Sequence, residues 1–321
     1  MNKLESIGKQ LSTLDNYVIV GHSIPDGDSV GSLLALFLAL NRMGKKAAII
    51  MQDNLSSIYR YLPAVDNFSQ PDDIELMPEN VIFLDCSRID RIGEELLERF
   101  EDRRITINID HHHDNDFFGD YNYVDPVASS TAEIIYQLLK VMGVEISREI
   151  ADCIYAGIVM DTGSFMNSNT TSTTMRIASE LLLAGASVDL ARNNLLESKP
   201  REEVSLLCLG LQHLEFYREG KIACMKLPFE EVRKIDALNI HPEGTINYVR
   251  SIQGVEVALM LREVNPGLIK IGYRSKTQVD VAALAARLGG GGHKRAAGAK
   301  KSGSLDQVCS LVIDMVEDVL E

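Results

Sequence analysis

Tryptophan is absent from this 321-residue chain, and cysteine is scarce: five residues, scattered, with no Cys-x-x-Cys pair. An odd, dispersed set argues against a disulfide framework or a cysteine zinc site, and for a reducing cytoplasm. Long apolar runs are missing too. The longest, Val30 to Leu40 interrupted by Ser32, is too short to cross a bilayer. The opening Met1-Asn-Lys-Leu-Glu-Ser-Ile has no apolar stretch and no cleavage-like site, so no export signal is visible. Positive charge is in deficit: 32 Lys and Arg against 46 Asp and Glu leave a formal net charge of −14. That balance disfavours long duplex nucleic acid and anionic membrane as partners. It also leaves little from which to build the basic, aromatic-lined groove that holds long single strands.

Hydrophobic residues make up 45% of the chain, as in globular proteins and unlike disordered ones. The length fits two domains better than one core. Residues 1–190 alternate strand-like and helix-like segments, which predicts an α/β domain with a mostly parallel sheet flanked by helices. Strands are expected at Tyr17–Val20, Lys46–Met51, Val81–Leu84 and Ile105–Ile109. Helices are expected at Ser29–Met43 (capped by Asp28 or Ser29), Glu94–Glu101, Ser129–Met142, Ser147–Met160, 172–184 and 188–195. Residues 191–214 read as a helical connector, with a helix over 201–213. From 215 to 321 the segments shorten into a smaller α+β domain: strands at 221–227, 255–264 and 268–275, and helices at 279–288 and 304–320. The turn Asn265-Pro-Gly267 predicts an antiparallel hairpin.

Acidic clusters punctuate the first domain. His22-Ser-Ile-Pro-Asp26-Gly-Asp28, Asp85 and Asp110-His111-His112 each follow a run of β-branched or aliphatic residues, and Asp161 ends a helix. In an open α/β sheet the carboxyl ends of the strands face one crevice, so these groups should meet at one rim. Taken singly, Asp28 reads as a helix cap, Asp85 as a turn former and the histidines as a polar loop. Jointly, several carboxylates gathered with one or two imidazoles repel one another unless divalent cations lie among them. Hard oxygen donors of this kind suit Mn²⁺ or Mg²⁺ better than tetrahedral Zn²⁺. The sequence therefore predicts a two-metal hydrolase.

The order His22, Asp26-Gly27-Asp28, Asp85, Asp110-His111-His112, Asp161 resembles the four signature motifs of the DHH phosphoesterase superfamily. Gly289-Gly-Gly-Gly292-His293-Lys-Arg-Ala-Ala-Gly298 is similar to the glycine-rich signature of the DHHA1 domain that follows in one branch. The layout resembles the NrnA-type oligoribonucleases, or nanoRNases. That resemblance implies that His22, Asp26 and Asp85 hold one ion and that Asp28, Asp85, His111 and Asp161 hold the other. It makes Asp85 the shared ligand and turns His112 towards the scissile phosphate, so that Asp85 and His112 are the catalytic candidates. Asp110 reads as an orienting residue, and His113 as outside the motif.

From Lys270 to Lys301 eight Lys or Arg face a single acid, Asp280, which predicts a phosphate-holding face. The glycine run is not a P-loop, because His293 follows it and no Gly-Lys-Ser/Thr occurs. Four glycines still permit close backbone approach to an anion, the alternative being a flexible turn between two helices. The DHHA1 resemblance assigns Arg274, Ser275, Gly291, Gly292, His293 and Lys294 to substrate phosphate. Phe165, Tyr248 and Tyr273 read as core, with base stacking the alternative. The expected activity is a phosphodiesterase, with Mn²⁺ favoured over Mg²⁺. Its substrates would be short single-stranded oligonucleotides, linear dinucleotides included, yielding nucleoside 5′-monophosphates, with adenosine 3′,5′-bisphosphate as a second substrate. Competing readings are an inorganic pyrophosphatase and a nucleotide-binding regulatory protein without turnover.

Overall fold

Alternate residues of each short apolar strand in the first half of the chain are buried on opposite faces, so both faces of the sheet carry helices. A computed structural model describes residues 2–73, 79–100, 104–240 and 244–320. The chain divides into two compact units, Met1–Ser198 and Lys199–Glu321.

Among the described residues the first unit contains six strands: β1 (Tyr17–Val20), β2 (Ala47–Ile50), β3 (Phe68–Ser69), β4 (Asn80–Leu84), β5 (Ile105–Asp110) and β6 (Tyr121–Val124). Their spatial order is β3-β2-β1-β4-β5-β6 and every pair is parallel. Ile19, Ile49, Ile82, Leu84, Ile107 and Ile109 pack beneath α1 (Leu4–Thr13), α2 (Gly27–Arg42), α4 (Thr131–Val141), α5 (Arg148–Asp161) and α6 (Ser172–Leu183). Val18, Val20, Val81 and Phe83 face the other way, against α3 (Glu94–Arg99) and Phe118. The α3 segment is shorter than expected, and Glu101 lies outside the described residues. A four-residue α7 (Val188–Ala191) runs into a π-helical turn at Arg192–Leu196.

Helix α2 is the unit's central helix, with 13 of its 16 residues buried, so an interior truncation such as Leu34→Ala should cost about 2–5 kcal/mol. It lies unusually close to α5. A Cβ on Gly31 would stand 2.4 Å from the Cys153 carbonyl, and one on Gly157 would stand 2.6 Å from Ala132 Cβ and 3.1 Å from Asp28 Oδ1. Only glycine allows that approach, which carries the start of α2 and the end of α5 to the same rim.

In the second unit α8 (Arg201–Gln212) precedes a six-stranded sheet: β7 (Leu214–Tyr217), β8 (Ile222–Leu227), β9 (Val257–Asn265), β10 (Leu268–Ser275), β11 (Gly291–His293) and β12 (Ala296–Ser302). The order is β11-β12-β10-β9-β8-β7, antiparallel except for the parallel β8–β9 pair. The β9–β10 hairpin forms as expected. One face packs on α11 (Val281–Ala286) and α12 (Leu305–Glu317), the other on α10 (Thr245–Ser251). The glycine run is not a turn between helices. After α11 it enters β11, which pairs with β12; a Cβ on Gly290 would lie 2.1 Å from the Gly298 carbonyl, so strand pairing itself requires glycine there. Among the described residues no helix is long and apolar enough to cross a membrane.

Candidate active site

Strand order reverses between β1 and β4, and the crevice of an open parallel sheet lies at that reversal, beyond the strands' carboxyl ends. The loops leaving β1 and β4 carry His22, Asp26 and Asp85, while β5 ends on Asp110 and delivers His111 and His112. Asp161 is the last residue of α5. The structure brings these groups together.

The cap of α2 is Asp26, not Asp28 or Ser29. Its Oδ1 accepts from the amides of Asp28 (3.0 Å) and Ser29 (3.1 Å), so the helix starts at Gly27 and Asp28 turns inward. Buried there, Asp28 accepts from the first amides of α4: Thr131 N to Oδ2 at 2.6 Å and Ala132 N to Oδ1 at 2.8 Å, with Ser32 Oγ at 3.2 Å. A helix N-terminus favours negative charge on such a group.

Asp85 lies at the centre, 2% exposed, in the left-handed region with φ 56°, a conformation that aspartate tolerates better than most residues. Its two oxygens face different histidines. Oδ2 is 3.4 Å from His22 Nε2, and Oδ1 is 3.7 Å from His111 Nε2. His22 Nε2 also lies 3.9 Å from Asp26 Oδ1; His111 Nε2 lies 3.9 Å from Asp28 Oδ2 and 3.8 Å from Asp161 Oδ2. Most of these gaps are too long for hydrogen bonds. They are close to the roughly 3–3.7 Å that separates ligand atoms around one cation at about 2.1–2.3 Å. Three overlapping sets of candidate ligand atoms thus converge, His22–Asp26–Asp85, Asp28–His111–Asp161 and Asp85–His111–His112, each within 4.8 Å. The donor chemistry fits hard divalent cations.

Charge supports the same reading. Burial, then the nearby charges of Asp85, Asp161 and Asp26, push the Asp28 carboxyl well above its ordinary range. Burial with Asp85 and Asp26 raises Asp161 to about 7, against the pull of His111. For His22, burial opposes the charged form but Asp26 and Asp85 outweigh it and push it up to about 11. Without cations this cluster is a site of stored repulsion.

His112 Nδ1 also lies 3.6 Å from Asp85 Oδ1, but its hydrogen bond goes to a relay. Its Nδ1 is 2.7 Å from Asp110 Oδ1, which also accepts from His111 N at 2.8 Å. Asn115 donates to Asp110 Oδ2 at 2.7 Å and to Asn108 Oδ1 at 2.8 Å. Asp110 therefore fixes the proton on Nδ1 and leaves Nε2 as the outward nitrogen. Burial disfavours the imidazolium, but the Asp110 bond and the charge of Asp85 raise His112 to about 9.

Three supporting groups escaped the sequence reading. Thr131 Oγ1 donates to Asp85 Oδ1 at 3.1 Å; Asn169 Nδ2 reaches Asp161 Oδ2 at 3.2 Å and Ser129 O at 2.8 Å; Asn115 anchors Asp110. Nothing in the sequence singles them out, because Asn115 and Asn169 lie in runs of polar residues and Thr131 follows two serines.

In the second unit Gly291, Gly292, His293 and Lys294 are exposed on the β11–β12 hairpin. Arg274, at the end of β10, is half-buried and donates to the Tyr273 carbonyl at 3.0 Å. Ser275 is buried, and its hydroxyl donates to Val279 O at 2.7 Å, which engages it within the fold. Tyr273 is core, while Tyr248 is 52% exposed on α10.

A crevice of clustered acids and histidines at the switch point of a parallel sheet, followed by a glycine-rich antiparallel unit, defines a metal-dependent phosphoesterase. Residues 16–158 match the N-terminal domain of the DHH family and residues 238–320 match the DHHA1 domain. The chain belongs to the DHH family, in the DHHA1-bearing branch of the NrnA proteins. It is 32% identical over 323 residues to the bifunctional oligoribonuclease and PAP phosphatase NrnA of Thermus thermophilus, covering 99% of this chain and 94% of that one. Identity to the Bacillus subtilis protein of the same name is 30% over 298 residues, 91% of each chain. The crystal structure of an exopolyphosphatase-related protein from Bacteroides fragilis superposes with a TM-score of 0.91 at 28% identity, covering 98% of this chain and 95% of that one.

Proposed function

We propose that this chain hydrolyses short single-stranded oligonucleotides of roughly two to five nucleotides, linear dinucleotides included, to nucleoside 5′-monophosphates. Adenosine 3′,5′-bisphosphate is its second substrate. Both reactions break a bond between phosphorus and a 3′-oxygen, so one centre serves both. The full-length relatives named for these two activities support the substrate class. The observation that carries the reading is Asp85, whose two oxygens face His22 and His111 at 3.4 and 3.7 Å, the disposition of a carboxylate shared between two ions.

His22, Asp26 and Asp85 would hold one divalent cation, and Asp28, Asp85, His111 and Asp161 the other, with Mn²⁺ favoured over Mg²⁺ by the mixed oxygen and imidazole donors. Bound there, the pair would supply Lewis acidity: a water nucleophile at neutral pH and neutralisation of charge at phosphorus. His112 supplies the proton. Asp110 keeps a proton on Nδ1, and Nε2, when protonated, donates to a phosphate oxygen or to the departing 3′-oxygen. Arg274, Gly291, Gly292, His293 and Lys294 bind substrate phosphate on the second unit, while the Ser275 hydroxyl is engaged by the Val279 carbonyl. Gly291 supports this assignment: a Cβ there would meet nothing within 4 Å, so packing does not require the glycine.

The test is a panel of two- to ten-nucleotide RNAs, adenosine 3′,5′-bisphosphate and pyrophosphate, assayed with Mn²⁺ and with Mg²⁺. Mononucleotide release from pApA with pyrophosphate untouched is expected. Pyrophosphate turnover alone would replace the reading with a phosphoanhydride hydrolase, and nucleotide binding without turnover would replace it with a regulatory protein.

A further inference from the structure

The registers of the second sheet gather five basic side chains on one face, of which Arg262, opposite Lys270, is buried and donates to the Ile240, Ala237 and Leu238 carbonyls. Residues paired directly across strands share a face, and along a strand the face alternates. Lys270 pairs with Lys300, Gly272 with Gly298, and Arg274 with Ala296. Across β12, Gly298 pairs with Gly291 and Ala296 with His293. The alternate residues Ile269, Ile271, Tyr273, Ala297 and Ala299 are buried against α11 and α12. The opposite face carries Arg274 and His293 at one end and Lys270 beside Lys300 at the other, with Ile246 of α10 standing over Gly272 between them.

Lys270 and Lys300 are both exposed, and like charges directly opposite one another repel. Among the described residues neither lysine has a carboxylate partner. Lysines on a sheet edge can block edge-to-edge pairing, a role open to Lys300, which lies beyond the reach of β11. That role asks nothing of Lys270, because β10 has strands on both sides. In a chain of net charge −14, two adjacent unpaired ammonium groups mark a place for an anion.

Strand rise places the lysine pair about 13 Å from the Arg274–His293 row, further than one internucleotide linkage reaches. We propose that Lys270 and Lys300 form a second phosphate subsite, holding a phosphate two linkages away from the one at Arg274 and His293. Substrates of three or more nucleotides then gain a contact that dinucleotides lack. This subsite rests on the oligonucleotide reading above.

The experiment compares wild type with the Lys270→Gln/Lys300→Gln double variant on 5′-phosphorylated adenylates of two, three and five nucleotides across a salt series. KM is expected to rise about 5- to 20-fold for the trimer and pentamer, and by a smaller factor for the dimer. For the longer substrates the dependence of log KM on log salt should weaken by about 0.7, the counterion release of one single-strand phosphate contact. A Leu183→Ala control, on an 86% exposed side chain at the end of α6 in the first unit, should move neither readout. Removing the repulsion should leave the melting temperature at or above wild type; should the double variant melt lower, Lys270→Gln alone carries the test. An unchanged trimer KM, or an equal loss at every length, overturns the subsite. If the wild type cleaves none of these RNAs, the oligonucleotide reading fails on its own. Anisotropy of a labelled trimer with both proteins then decides the subsite separately, equal affinities overturning it.

Discussion

Asp85→Asn separates a residue that holds cations from one that holds the fold. Asparagine is nearly isosteric, tolerates the left-handed backbone at φ 56°, and can still accept from Thr131 Oγ1, now 3.1 Å away. What it removes is one negative charge beside Asp28 and Asp161, both of whose carboxyls Asp85 helps to raise. Asp85 also helps to hold up His22 and His112, so the two effects oppose one another and the metal-free variant should melt close to metal-free wild type. The pH dependence follows with its sign. Asp161, raised from 3.8 to about 7, binds more protons in the folded state across that interval, so metal-free stability falls as pH rises from about 4 to 7. That fall should be shallower in Asp85→Asn. With cations the two separate. At a concentration a hundredfold above Kd, binding stabilises wild type by about 2.7 kcal/mol, roughly 5–10 °C for a unit of this size. The variant should lose most of that rise and about a thousandfold or more in kcat. Calorimetry with and without Mn²⁺, paired with a dinucleotide assay, measures both. A variant that keeps the Mn²⁺-induced rise, or turns over within tenfold of wild type, would falsify the bridging role; one that collapses without metal would show Asp85 to be structural.

Four further outcomes follow from the geometry. Thr131→Val keeps the shape at the start of α4 but deletes the hydroxyl on Asp85, and should weaken Mn²⁺ binding about 10- to 100-fold, read by electron paramagnetic resonance titration; unaltered affinity refutes it. Asp28→Asn turns an amide donor towards the Thr131 and Ala132 amides, and should cost the metal-free protein about 1–3 kcal/mol, in contrast to Asp85→Asn; equal melting of the two variants would contradict the assignment. Gly291→Ala places a methyl in open space, so urea melts should show unchanged or slightly raised stability while KM for oligonucleotides rises severalfold. Glu256 accepts from the amides of Thr277 (2.9 Å) and Gln278 (2.7 Å) and the Thr277 hydroxyl (2.8 Å), bonds that hold its pKa below the ordinary 4.5 against the effect of burial. Its stabilisation is present above that value and lost as pH falls, so Glu256→Gln should cost about 1 kcal/mol at neutral pH after solvent screening, with the gap closing as pH falls below 4.5.

The parallel sheet was legible because its strands are short apolar runs that end in the same chemistry, and most of the candidate ligand positions were legible because they follow strand ends. The register of β12 and β11 was not. Ala296 to Ser302 is small and basic, without the β-branched residues that mark a strand, and it pairs because glycines let the backbones close. Strand β6 was missed for a related reason: Tyr121-Asn-Tyr-Val124 is half-buried on an edge and carries no continuous apolar run. The cap of α2 fell to Asp26 because two carboxylates separated by a glycine both satisfy the local rule, and only the tertiary partner of Asp28 decides between them.

That partner explains how a cluster of acids can stay in place before any cation arrives. Both oxygens of Asp28 are taken by amides at the start of α4, the hydroxyl of the same turn reaches Asp85, and the carbonyl of Ser129 just upstream receives Asn169, which also holds Asp161. One helix terminus thus touches or tethers three of the candidate ligands through hydrogen bonds that do not depend on an ion. Repulsion among the carboxylates can then be relieved by cation binding without rearrangement of the backbone. A site assembled on that terminus gains affinity because its ligands are already in position.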